Sequence, residues 1–335
     1  MRVLIWSCGF ERRFAGVFIA EEMQRQGLNV AVTGSREHPE NALAAFQEYK
    51  PDFVFSDVAR AHCVPYYRKM REAGAKLVLW YPDMTECRRD RMWRTQLNNV
   101  ADILIFSIME TATRYRELAP CVLWMPQYFD HIFCSKNNSG ETIGLPKRLD
   151  PIKPISDIVF IGSVDDHRKR WLDELNKHYN CNFVIHVPGM LNEIRGWRMA
   201  EAYAQSRIAF NIQRALFINP GAFVTSNRAY NAMGSGAFFI NHKVQHLNLM
   251  WQEGEHCVTY DDSFNGLRTA IDYYLMHEVE REQIARQGQK DILFFHTLEQ
   301  RVKEYWRVME LFYTGQSDTI KTSFPGYGLW VKNGK

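Results

Sequence analysis

The residues best suited to chemistry lie in one stretch, Thr225-Ser226-Asn227-Arg228-Ala229-Tyr230-Asn231. It runs into the turn Ala232-Met233-Gly234-Ser235-Gly236 and then the apolar run Ala237 to Ile240. Side chains of Thr225, Ser226 and Asn227 can cap a helix and donate to phosphate oxygens, and Arg228 adds a fixed positive charge. A helix, a Gly-rich turn and a short buried strand put these groups beside the carboxyl edge of a parallel sheet, where an α/β domain holds a nucleotide or its phosphates. A second candidate is Phe160-Ile161-Gly162-Ser163, with Arg168, Lys169 and Arg170 beyond it. A strand ending in small residues lets backbone N–H groups approach a pyrophosphate, and a following cation neutralises charge on a departing diphosphate. Arg168, nearest the turn, is the choice for that role. Both Arg168 and Arg228 are expected to face a solvated cleft. A tight βα turn with a solvated helix start explains Gly162 to Arg170 equally well, and a structural helix explains Ser226 to Gly236 less well.

A carboxylate is expected at Asp83, which follows the apolar run Leu77 to Tyr81 and could serve as a general base or contact an acceptor hydroxyl. Helix capping is as good an account of it. Metal chemistry has no support in the spacing. The chain has no Asp-x-Asp, and the pairs Asp165-Asp166 and Asp261-Asp262 are adjacent, which does not suit a cation bridging a diphosphate. A helix N-terminus with Arg and Lys can take the place of Mg²⁺.

These groups need a scaffold, and the pattern of the chain supplies one. Short apolar runs alternate with longer helical segments, as in βα units around a parallel sheet. Strands are expected at Val3 to Ser7, Val30 to Thr33, Phe53 to Ser56, Leu77 to Tyr81, Ile103 to Ser107 and Val122 to Met125. A helix runs from Ala15 to Gln26, closed by Gly27. Asn, Gly and three prolines between Ser135 and Ile155 indicate a linker. A second series has strands at Ile158 to Ser163, Phe183 to Val187, Arg207 to Ile212, Ala237 to Ile240 and His256 to Tyr260. Helices follow at Leu267 to Met276, Glu278 to Gln289 and Leu298 to Phe312.

Length and composition agree with two ordinary domains. The chain has 335 residues, 46% hydrophobic and 24% charged, so neither disorder nor a fibrous repeat is indicated. The net charge of +3 is too small for a strongly basic nucleic-acid binder, although local basic patches exist. Seven cysteines scattered without Cys-x-x-Cys fit reduced thiols in a cytoplasmic protein. No run approaches the length needed to span a bilayer, so no integral membrane contact is expected.

The run from Ser226 to Ile240, the Gly162-Ser163 turn with its downstream Arg, and the order Glu253 to Val258, Tyr273-Tyr274, Ile284 to Gly288, His296-Thr297 resemble GT-B glycosyltransferases, in particular the spore-maturation CgeB-like group. The resemblance covers most of the chain and is strongest from Ser156 to Trp306. It implies an α/β fold of two Rossmann-like domains with a cleft between them and a C-terminal helix crossing back. The corresponding divisions are 1–134 for the acceptor domain, 135–155 for the linker, 156–298 for the nucleotide-sugar domain, and 299–335 for the helix and tail packing back on the N-terminal domain. Within it, Arg228 corresponds to the family's Arg, and Asn231 stands where the family has a Glu that accepts ribose hydroxyls. An Asn accepts without the charge. Gly162, Ser163, Thr225, Ser226, Asn227 and Asn231 would then hold the donor, with Asp83, Arg168 and Arg228 catalytic.

The implied activity is transfer of a sugar from a nucleoside diphosphate sugar, UDP-linked first among the candidates, to a hydroxyl. It would be retaining and metal-independent, with no cofactor beyond the donor substrate. Acceptors are a surface glycan, peptide or lipid, or hydroxymethylpyrimidine DNA of a bacteriophage. For DNA, the sequence offers basic runs interleaved with aromatics, Tyr66 to Arg71 and Arg88 to Arg94. A solvated helix face accounts for those runs too. The alternative from another class is a non-catalytic nucleotide-sugar-binding or assembly protein, which Asn231 in place of the family's Glu keeps open.

Overall fold

The computed structural model describes residues 1–9, 15–34, 37–58, 60–81, 99–137, 139–146, 156–185, 194–212, 226–243, 247–261, 263–316, 319–320 and 329–331. The chain divides into two compact units, one of Met1–Pro126 with Glu299–Lys335 and one of Gln127–Leu298.

The first unit starts as a run of βα repeats: β1 (Val3–Ser7), α1 (Ala15–Arg25), β2 (Val30–Gly34), α2 (Pro39–Tyr49), β3 (Phe53–Ser56), α3 (Val64–Glu72), β4 (Lys76–Tyr81), β5 (Ile103–Phe106), α4 (Met109–Tyr115) and β6 (Cys121–Trp124). Strands β1, β3, β5 and β6 are buried along their whole length, which is why they read as unbroken apolar runs rather than alternating ones. Gly27, at φ 75°, ends α1 in a left-handed turn.

The second unit continues with α5 (His131–Cys134), β7 (Ser156–Gly162), α6 (Asp166–Leu175), β8 (Cys181–Ile185), α7 (Gly196–Ala204), β9 (Ser206–Phe210), α8 (Asn227–Gly234), β10 (Phe238–His242), β11 (Val258–Tyr260), α9 (Phe264–Met276) and α10 (Glu278–Phe295). Its sheet has the order β11-β10-β9-β7-β8, and each neighbouring pair is parallel. Alternate residues of the strands feed two cores. Val159, Ile161, Ala209 and Phe239 pack with α7 and α8 on one face, and Ile158, Phe160, Phe210 and Ile240 pack with α6, α9 and α10 on the other.

The chain then returns to the first unit through α11 (Leu298–Tyr313) and the short β12 (Leu329–Val331). Tyr305 of α11 lies 5.4 Å from Phe55 and 6.2 Å from Trp80 between ring centroids, completing the core over β3 and β4. Burial of one such ring contributes about 2 kcal/mol. Strand β12 adds antiparallel to β6, giving the order β12-β6-β5-β4-β3-β1-β2. The resemblance implies a tail packed back on the N-terminal domain, but a strand in that tail has no counterpart in the expectations from sequence. Among the described residues no helix is long and apolar enough to cross a membrane.

Candidate functional site

In an open parallel sheet, ligands bind at the carboxyl edge where the strand order reverses, because the loops on either side diverge there. In the second sheet that point lies between β7 and β9, and Gly162 ends β7 there. Arg228, in the first turn of α8, reaches back to it. Its Nε donates to the Ile161 carbonyl at 2.8 Å, its Nη1 donates to Asn211 Oδ1, and its Cζ stands 4.4 Å from the centre of the Phe160 ring. A Cβ on residue 162 would run into Nη2 of Arg228 and lie 3.2 Å from Cζ, so this approach requires glycine.

Arg168 occupies the same edge but is 5% exposed. Its Nε donates to the Ile212 carbonyl and its Nη1 to the Ser163 carbonyl, both at 2.8 Å, tying the exit of β9 to the exit of β7. The expectation that it faces a solvated cleft is therefore corrected. On α6 it shares the inward face with Leu172 and Leu175, whereas Lys169 and Arg170 are exposed.

Beyond Arg228 lies a buried polar relay. Asn211 Nδ2 donates to Asn241 Oδ1 at 3.2 Å and to His242 Nδ1 at 3.0 Å, and the Tyr260 hydroxyl donates to the Asn211 carbonyl at 2.8 Å. Burial, reinforced by Arg168 and Arg228, pushes His242 down to about 3 and keeps the ring neutral.

The corresponding point of the first sheet lies between β1 and β3, and its chemistry is opposite. Asp57, directly after β3, accepts from the backbone N–H of Cys8 at 3.0 Å through one oxygen and from that of Gly16 at 3.1 Å through the other. Gly16 is in the first turn of α1, so a carboxylate of the chain itself fills the position where a helix N-terminus would otherwise take an anion. Burial pushes the Asp57 carboxyl up to about 6, against the lowering effect of those N–H groups.

The other expected residues are placed as follows. Ser163 is half-buried beside Gly162. Ser226 precedes α8 as its N-cap but its side chain makes no capping bond, and its Oγ is buried with no partner among the described residues, so the capping expected of it is corrected. Asn227 is exposed and Asn231 half-buried one turn later, where its carbonyl accepts from Ser235 N and Oγ. Asp83 and Thr225 lie outside the described residues, as do Arg88 to Arg94. Tyr67, expected among aromatics available for stacking, is fully buried with its hydroxyl on Ser56 and Val58, which corrects that expectation. His296 and Thr297 are buried in the connection to α11. Among the described residues no three or more His, Cys, Asp or Glu side chains are grouped to hold a metal ion. Asp57, Asn211, Asn241 and His242 were not singled out from sequence, although each is a polar residue at or just past the end of an apolar strand.

Residues 167–307 match the glycosyl transferase-like family. No curated protein matches the chain by sequence. Solved structures resemble it along nearly its whole length. Sucrose-phosphate synthase from Thermosynechococcus elongatus aligns with a TM-score of 0.63 and 11% identity, over 94% of this chain and 100% of that one. Anabaena HepE, solved with UDP and glucose, gives 0.60 and 11%, over 92% and 99%. A UDP-N-acetylglucosamine 2-epimerase gives 0.57 and 8%, over 94% and 97%. The fold is GT-B, and together with the family match it supports a glycosyltransferase.

Proposed function

We propose that the protein transfers a sugar from a nucleoside diphosphate sugar, UDP-linked first among the candidates, to an acceptor hydroxyl, and that the second unit holds the nucleotide. The observation that carries this is the contrast between the two switch points. That of the second sheet carries the Arg228 guanidinium, with the Arg168 guanidinium buried at the same edge, while that of the first already holds the Asp57 carboxylate. An anionic diphosphate is attracted to the one and repelled by the other. UDP bound to the HepE structure agrees with a uridine nucleotide.

Bond breaking between sugar and diphosphate puts negative charge on the leaving phosphate. A guanidinium already fixed in place stabilises that charge without reorganising, and the first N–H groups of α8 add their partial positive charge. Arg228 therefore has the leaving-group role, and Arg168 the positioning of the Gly162-Ser163 turn. The reading includes independence from divalent cations and, on the resemblance to the CgeB-like group, retention at the anomeric carbon. A glycan, peptide or lipid hydroxyl is favoured over modified DNA, because burial of Tyr67 removes one of the stacking residues that the DNA reading used.

The test is a panel of UDP-, GDP-, ADP- and TDP-sugars, each followed by thermal shift and by release of nucleoside diphosphate. One donor is expected to raise the melting temperature and be slowly hydrolysed without acceptor. Arg228→Ala is expected to lower that release about a hundredfold. Binding without release or transfer to any acceptor would favour the non-catalytic alternative, and interconversion of the sugar without nucleotide release would point to epimerisation.

A further inference from the structure

Strands β9 and β10 lead into three side chains, Asn211, Asn241 and His242, that are polar yet 0%, 0% and 2% exposed. Asn211 orients the other two. Its Oδ1 accepts from Arg228, so its Nδ2 supplies the hydrogens that go to Asn241 Oδ1 and His242 Nδ1. An imidazole that accepts at Nδ1 while neutral carries its own hydrogen on Nε2. Two N–H donors are then left over, His242 Nε2 and Asn241 Nδ2, both buried and neither with an acceptor among the described residues. Leaving such donors unmatched costs stability, and a native fold that keeps two of them together calls for an explanation.

Their surroundings narrow the kind of acceptor. Both residues stand at the carboxyl edge of the sheet, and the fields of Arg168 and Arg228 at His242 are positive. An oxygen atom bearing negative charge suits that field better than a neutral carbonyl or hydroxyl. We propose that His242 Nε2–H and Asn241 Nδ2–H are neutral donors to phosphate oxygens of the nucleoside diphosphate, acting beside the Arg228 guanidinium. This rests on the transfer reading above and adds two binding residues to it. The relay through Asn211 then has a second consequence, since the same amide positions both the guanidinium and the imidazole.

Two variants separate the ligand role from the relay. His242→Asn keeps an acceptor oxygen near Nδ1 for Asn211 but removes the distal N–H. His242→Gln keeps an N–H near Nε2 and gives up the acceptor at Nδ1. Titration calorimetry with UDP and with uridine, on the full chain, reads the effect. His242→Asn is expected to weaken UDP binding about tenfold or more while uridine binding is unchanged, as loss of one hydrogen bond to a charged oxygen requires. His242→Gln is expected to stay within about threefold of wild type for UDP. Its melting temperature without ligand should be the lower of the two, which shows that the relay and the ligand contact are distinct. Unchanged UDP affinity in His242→Asn, or a loss confined to His242→Gln, overturns this inference and leaves the transfer reading standing. Failure of the wild-type protein to bind UDP, GDP or ADP removes both.

Discussion

Substituting Gly162 by Ala tests the geometry of the cationic switch point most directly. The new methyl group would collide with Nη2 of Arg228 and lie 3.2 Å from its Cζ. A free arginine would swing aside at little cost. This one is held by the Ile161 carbonyl, by Asn211 and by the face of Phe160, so moving it forfeits two hydrogen bonds from a charged donor. At the low end of about 1.5 kcal/mol each, that loss is about 3 kcal/mol. The backbone adds about 1 kcal/mol, because residue 162 has φ 154°. Wild type to Gly162→Ala should therefore cost about 4 kcal/mol, or roughly 8–16 °C in melting temperature for a unit of this size. In an Arg228→Ala background the collision is gone, and the same substitution should cost only about 1 kcal/mol. The assay is a double-mutant cycle by thermal or urea unfolding, with an expected coupling of about 3 kcal/mol. Equal costs in the two backgrounds would refute the contact as the reason for glycine at this position.

Arg168→Ala is expected to lower the melting temperature by roughly 6–12 °C, because the buried Ile212 carbonyl and the half-buried Ser163 carbonyl lose a charged donor; unfolding scans check this, and a loss of activity at unchanged stability would contradict the positioning role. Asp57 has a folded pKa of about 6, above its ordinary 3.8, so the folded state binds the extra proton in that window and this group's contribution to stability grows as pH falls from 6 towards 3.8. Urea unfolding of wild type and Asp57→Asn from pH 7 to pH 4 should show that component only in wild type, and parallel pH profiles would exclude it. Transfer is expected to persist in excess EDTA, with product formation by chromatography as the readout, and an absolute need for Mg²⁺ or Mn²⁺ would contradict the cationic-side-chain account.

Much of the scaffold is legible in the residues themselves. The runs Val3–Ser7 and Phe53–Ser56 become strands with those boundaries, because fully buried parallel strands need unbroken apolar sequence. Strand β12 is not legible, since three residues carry no period and its pairing with β6 is a tertiary event. At the site, Arg228 and Gly162 stand out by type, a charge that reaches a turn and a residue that permits the approach. Arg168 has the right type, but its burial depended on which face of α6 turns inward, and its i, i+4, i+7 spacing with Leu172 and Leu175 was the available signal. Asn241 and His242 are hidden by the apolar run before them, because a polar residue at the end of a buried strand reads in sequence as an interruption of that run.

The two ends of the second unit are paired with each other. Phe129 N donates to the His296 carbonyl at 2.8 Å, and Leu298 N donates to the Phe129 carbonyl at 2.9 Å. The second unit is thus an uninterrupted insertion whose entry and exit segments meet, while the first is assembled from the segments before and after it. During synthesis the inserted unit has all of its sequence before the first has α11, so it can close first. The core over β3 and β4 must wait, with Phe55 and Trp80 lacking Tyr305, until α11 is made. Damage in α11 should accordingly unfold the sheet of the first unit and spare that of the second.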